Sequence, residues 1–295
     1  MKKLKVFFVV PLIVFSVIQL GAQEQAAAKD SGNTPIETFD TEPQSTAEIL
    51  SNPQKTFKDF EWELSKDGTE VYIIKYTGVD KKIIVPEKIN NLPVTAISGF
   101  ANNKNIVSVV LPDSVKELRK SDESLYVGAF TNCTSLKTIS LSKNLKKIDP
   151  YCFSFCTSLE NIKLGDDIEF IGNHAFADCT SLKTIALPKN LKKIPWAAFI
   201  RCRSLESVQL PEALNEISYI SFSGCTSLQT ITLPNSLLHI GPQAFENCAG
   251  LKDVTLSNEN MNFHDYGKGI FTGCISMSEK SRTEISENGY TGSFD

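Results

Sequence analysis

Cys133, Cys156, Cys179, Cys202, Cys225 and Cys248 follow one another at steps of 23 residues, and Cys274 closes the series after a step of 26. A Phe stands three residues before each of them, from Phe130 to Phe271, and a Leu stands three residues after, with Met277 at the end. A fixed period of this length, with three apolar columns in register, leaves few folds open. One unit is too short to bury its own apolar face, so the units must stack and share a continuous core.

The unit at residues 179–201 shows how. Leu182 to Leu187 carries an L-x-x-I-x-L pattern with β-favouring residues at its centre, which predicts a parallel strand. Pro188 ends the ladder pairing and turns the chain. Leu191 and Ile194 form a second apolar pair, and Ala198-Phe199 sends a ring into the space between turns. The expectation is a β-rich repeat solenoid, a curved stack of 23-residue leucine-rich units, over residues 98–277. Its first unit places Asn103 in the Cys column, and a seven-residue insertion, Arg119 to Leu125, precedes the next. Residues 57–97 read as a hairpin and a degenerate repeat forming an N-terminal β cap. Residues 278–295 read as a short C-terminal cap with a helix over Glu279 to Glu287.

The repeated A-F-x-x-C-x-S-L-x-x-I-x-L-P-x-x-L-x-x-I, as in Ala175 to Ile194 and Ala129 to Ile148, resembles the BspA-like leucine-rich repeats of bacterial secreted and surface proteins. The segments KYTGVDKKIIVPEKINNLPVTAI and NGYTGSF are similar to that family's start and finish, so the resemblance spans Phe57 to Asp295. It implies a leucine-rich repeat fold and adhesin-like recognition of a host or neighbouring-cell protein. The departures are Asn103 for Cys, Cys152 for Ala, and inserts before Leu125 and near Met261; they bear on local loops.

Ahead of the repeats, Lys2, Lys3 and Lys5 precede an apolar run from Val6 to Leu20 that ends in Gly21-Ala22. This is the pattern of a signal peptide over residues 1–22, cleaved after Ala22. The run is too short for a comfortable span of about 20 residues, and no second long apolar run follows. The expectation is an exported chain, periplasmic, surface-associated or secreted, with no transmembrane segment after cleavage. Residues 23–56, rich in Gln, Ala, Thr, Ser and Glu, read as a flexible linker. Net charge is −4, and removing three lysines moves it to −7. That balance offers phosphates no basic surface and argues against nucleic acid as a partner.

Chemistry is sparse. The cysteines read as a column of small buried thiols, with a disulfide involving Cys152 and Cys156 or a neighbour as the alternative. There is no C-x-x-C pair for zinc, and His174, His239 and His264 are scattered. No nucleophile elbow, phosphate loop or complete calcium loop surrounds any polar residue, Asp166-Asp167 included. The chain therefore reads as a non-enzyme without metal or cofactor.

Binding surface is what remains. The residues flanking the central apolar one of each strand should face outward. Among them are Thr138, Ser140, Asn161, Lys163, Thr184, Ser207, Gln209, Thr230 and Thr232, a polar ribbon about 30 Å long at about 4.8 Å per step. A second column holds Tyr151, His174, Trp196 and Tyr219 just before the Phe, with Phe155 and Ile200 just after it. Other repeats place small or polar residues there, so these aromatics either pack over the core edge or anchor a partner. Lys146, Lys147, Lys192 and Lys193 keep the outer face soluble. The leading expectation is a protein ligand; a glycan on the polar ribbon and a structural role in the cell envelope are the alternatives.

Overall fold

Apolar residues spaced two apart, as in Ile185 and Leu187 or Ile231 and Leu233, force a short strand with one inward side chain between two outward ones. The computed structural model describes residues 58–120, 126–257, 263 and 267–295. The signal-peptide and linker expectations lie outside the described residues, as does His264. The N-terminal part holds β1 (Phe60–Leu64), β2 (Val71–Tyr76), β3 (Lys82–Ile84), β4 (Lys88–Ile89) and β5 (Leu92–Ile97). Each following coil contributes two short strands. These are β6 (Ser108–Val110) and β7 (Glu117–Leu118), β8 (Thr138–Ser140) and β9 (Lys147–Ile148), β10 (Asn161–Ile162) and β11 (Phe170–Ile171). Then come β12 (Thr184–Ala186) and β13 (Lys193–Ile194), β14 (Ser207–Gln209) and β15 (Glu216–Ile217), β16 (Thr230–Leu233) and β17 (His239–Ile240). The last coil gives β18 (Asp253–Leu256), followed by helix α1 (Glu279–Glu287).

The protein is a parallel β-solenoid. Strands β3, β6, β8, β10, β12 and β14 form one parallel sheet, and β16 pairs β18 beyond it. Register advances by one repeat per step: Ser108 faces Thr138, Thr138 faces Asn161, Asn161 faces Thr184, and Thr184 faces Ser207. A second, narrower set of parallel pairs runs along the L-x-x-I segments, joining β9 to β11 and β13 to β15 to β17. Sequence reasoning saw only an apolar pair there; the buried Ile at each second position holds a two-residue strand. The N-terminal part is an antiparallel β1–β2 hairpin, and β3 already supplies the first rung of the main ladder.

Inside, the Phe column is a continuous stack. Ring centroids from Phe100 through Phe130, Phe153, Phe176, Phe199, Phe222 and Phe245 to Phe271 lie 5.1 to 5.7 Å apart. Tyr76 stacks on Phe100 at 5.6 Å, and Tyr290 meets Phe271 edge-on at 5.5 Å, so an aromatic closes each end. Within the stack each Phe N–H donates to a carbonyl of the next coil, as Phe176 does to Ala198 at 2.8 Å. Phe271 instead donates to the Tyr290 hydroxyl at 3.2 Å. Helix α1 begins on Ser278, whose hydroxyl accepts the Ser281 N–H. The Ser281 hydroxyl then accepts the Val254 N–H at 3.1 Å, which covers the last strand.

The eight cysteines are all buried and unpaired. Their thiols are engaged differently from a disulfide column. Cys133, Cys156, Cys179, Cys202, Cys225, Cys248 and Cys274 each donate Sγ–H to a Phe carbonyl of the preceding coil at 3.1 to 3.2 Å. Cys suits the column as a small apolar side chain that also brings a weak donor.

Candidate functional site

From the Phe153 coil onward each coil makes its outer turn with two residues in the left-handed region, two before and two after the Phe; in the Phe100 and Phe130 coils only the second of these positions is left-handed. After the Phe the occupants are Asn102, Asn132, Phe155, Asp178, Arg201, Gly224, Asn247 and Gly273, with φ between 57° and 77°. Asn, Asp and Gly are the residues that adopt this region at least strain. Asn132 reaches Asn102 at 2.9 Å, one step of an amide ladder. Phe155 and Arg201 break the rule. Before the Phe the occupants are Tyr151, His174, Ala197, Ile220, Gln243 and Gly269, with φ between 47° and 67°. A β-branched residue such as Ile220 is an outlier there.

This geometry corrects the single aromatic column expected from sequence. Tyr151 and His174 occupy the left-handed position, whereas Trp196 and Tyr219 stand one residue earlier in their coils. Phe155 sits on the other left-handed line, and Ile200 is half-buried one residue past Phe199. Four rings nevertheless join into one edge. Tyr126 meets Tyr151 edge-on at 5.4 Å, Tyr151 stacks on His174 at 4.8 Å, and His174 meets Trp196 edge-on at 4.6 Å. Tyr126 was not foreseen, because the insertion before it hides its place in the period. Trp196 and Tyr219 are both 43% exposed and Phe155 is 47% exposed.

His174 is the electrostatic centre of this edge. Burial first, and the Arg201 cation second, push its imidazole down to about 4, so the ring is neutral at physiological pH. Its Nδ1 is buried without a hydrogen-bond partner. Arg201 grips Asp178 with two bonds, 2.7 Å from Nε and 2.5 Å from a terminal nitrogen, and that pairing raises the guanidinium pKa. The Asp178 side chain is largely buried, and the pair ties adjacent coils beside the aromatic edge.

The polar ribbon lies where the strand pattern put it. Thr138, Ser140, Asn161, Lys163, Thr184, Ser207, Gln209, Thr230 and Thr232 are all exposed along the main ladder. Asp166 and Asp167 pair with Lys189 and Lys146 at 3.4 and 3.2 Å, the arrangement of a solvated turn. Among the described residues no three His, Cys, Asp or Glu groups converge as metal ligands, and no helix is long and apolar enough to cross a membrane. On the narrow second ladder Phe170, paired with Lys147, is exposed, and so is Leu238 just before β17. The recurring apolar pairs Ile168 with Ile171 and Leu237 with Ile240 were the signal that could have placed them.

A family model described as BspA type leucine rich repeat region matches residues 95–225 and 193–291, with six copies. A search of curated proteins finds no match. Among solved structures, a T. pallidum leucine-rich repeat protein is 26% identical with a TM-score of 0.59, covering 81% of this chain and 97% of its own. A leucine-rich repeat protein from Bacteroides ovatus is 25% identical with a TM-score of 0.63 and covers 73% of this chain. This chain spans 61% of that protein's length.

Proposed function

Because the chain belongs to the BspA-type leucine-rich repeat family, a repeat scaffold suited to protein interaction, we propose that it is an exported, non-enzymatic recognition module for a host or neighbouring-cell protein. The observation that carries this reading is the aromatic edge. Bulky residues hold left-handed positions at Tyr151, Phe155, His174 and Ile220, where Asn or Gly would be less strained. The solenoid tolerates small or polar residues at those places in other coils, so stacking alone does not call for them. Exposed Trp and Tyr on a rigid frame are the side chains that most often anchor a protein interface. Export rests on the pattern of residues 1–22.

The test is crosslinking of the secreted chain in its native setting, followed by identification of what is joined to it. A specific protein joined near residues 126–219 supports the reading. Light scattering separates it from a role in envelope assembly: a strict monomer that captures a partner supports recognition, and concentration-dependent growth of the particle supports assembly.

A further inference from the structure

The main ladder opens at one step. Before it, Thr184–Ala186 pairs Ser207–Gln209 along its whole length; after it, Thr230–Leu233 pairs Asp253–Leu256. Between β14 and β16 strand pairing stops, although the coils stay joined upstream, where Gln229 N–H donates to the Glu206 carbonyl at 3.2 Å. At three other steps the residue after a strand donates to the next coil, as Leu111 does to Ser140 at 2.9 Å and Leu187 does to Gln209 at 3.4 Å; Leu141 and Leu164 make no such bond, but their strands stay paired. The counterparts here are the Leu210 N–H and the Thr232 carbonyl, and among the described residues these two groups are not joined. A cavity of about 320 Å³ occupies the opening, lined by Ser207, Gln209, Leu210, Glu212, Thr230 and Thr232.

We propose that this opening is a binding subsite for a neutral N-acetylated sugar residue. A backbone donor and a backbone acceptor left open in ladder register ask for a group carrying one carbonyl and one N–H, which is a secondary amide. A peptide strand also carries amides, but it needs a run of such pairs. This opening is one step long and is closed upstream by the Gln229–Glu206 bond. An acetamido group fills the gap with a single amide. The ring it hangs from then meets the hydroxyls of Ser207 and Thr230 and the carboxamide of Gln209, all suited to sugar hydroxyls. The Glu212 carboxylate accepts hydroxyl donors and repels carboxylated or phosphorylated sugars. The volume is at the small end of ligand sites, about 300 Å³ and upward, the scale of one or two rings. The subsite stands apart from the aromatic edge, so loss of protein capture would leave it untouched.

The test is saturation-transfer NMR on the full secreted chain with a trimer of N-acetylglucosamine, a glucose trimer, N-acetylneuraminic acid and a blocked dipeptide as probes. The expected result is transfer to the acetyl methyl of the first probe alone. Gln209→Ala should weaken that signal about tenfold, and Glu212→Gln should admit the acidic sugar. Both side chains are exposed, so thermal melting should be unchanged in both variants. No transfer to the N-acetylated trimer, equal transfer to the glucose trimer, or stronger binding of the dipeptide would each overturn the proposal. So would an unchanged signal in Gln209→Ala.

Discussion

The Cys179 thiol donates to the Phe153 carbonyl at 3.2 Å, and the same carbonyl accepts the Cys156 N–H at 3.1 Å. The relationship recurs along the stack, so each thiol serves the second lone pair of a buried carbonyl. A disulfide would have to remove two such bonds and turn two parallel side chains towards each other.

The thiols should accordingly be silent in the native protein. Burial pushes Cys133 up to about 12, and Cys156 and Cys179 well above the ordinary range. A thiol reagent at pH 8 should find essentially none before denaturation and all eight after it. The linkage has a definite sign. Unfolded thiols lose their protons near pH 9 while folded ones keep them, so stability should fall from about pH 9 towards pH 12. A flat stability curve over that window would contradict the buried column.

Tyr290 should matter through one oxygen. Its hydroxyl takes the Phe271 N–H, which in earlier coils finds the carbonyl of the next coil. Tyr290→Phe keeps the ring against Phe271 and removes the acceptor, so it should cost about 1–3 kcal/mol of unfolding free energy. Chemical denaturation measures it, and an unchanged midpoint would mean that water replaces the hydroxyl.

His174 should titrate far below an ordinary histidine. With its folded pKa near 4 against an unfolded value near 6.5, the unfolded chain takes up the proton first as pH falls. The stability its neutral form contributes is complete above pH 6.5 and is lost progressively down to about pH 4. NMR titration of the imidazole reads the value directly, and a midpoint near 6.5 would place the ring in solvent instead of between Tyr151 and Trp196.

Phe155 should show strain and binding pulling in opposite directions. It holds φ of 60° where the equivalent residues of neighbouring coils are Asn132 and Asp178. Phe155→Asn should leave stability unchanged or raise it by up to about 1 kcal/mol, while weakening partner binding. A clear fall in melting temperature would show that the ring serves the core.

The architecture was legible because the columns of Phe, Cys and Leu are exact enough to specify stacking without any knowledge of contacts. The outward residues of the main ladder followed from the two-residue period of a strand. The second ladder was missed because Lys193-Ile194 and its equivalents are two residues long, below the length at which alternation can be read. The aromatic edge was drawn as one line, and the left-handed backbone at His174 and Ala197 is invisible in residue spacing. The offsets from the Phe column, two residues for Tyr151 and His174 and three for Trp196 and Tyr219, do separate two lines in the sequence, whereas nothing there shows that Tyr126 joins them across an insertion. The opening between β14 and β16 has no signature at all in the sequence, since Gln209 and Thr232 look like any other ribbon residues.

The central claim is that the aromatic edge is a recognition surface. Its most direct measurement is the affinity of the captured partner for the Trp196→Ala, Tyr219→Ala double variant, read by biolayer interferometry alongside the melting temperature. Two interface anchors at about 2 kcal/mol each predict binding weaker by roughly a thousandfold, with melting near that of the parent because both rings are partly exposed. Parent-like affinity in a variant that melts like the parent would contradict the account and leave these rings as packing.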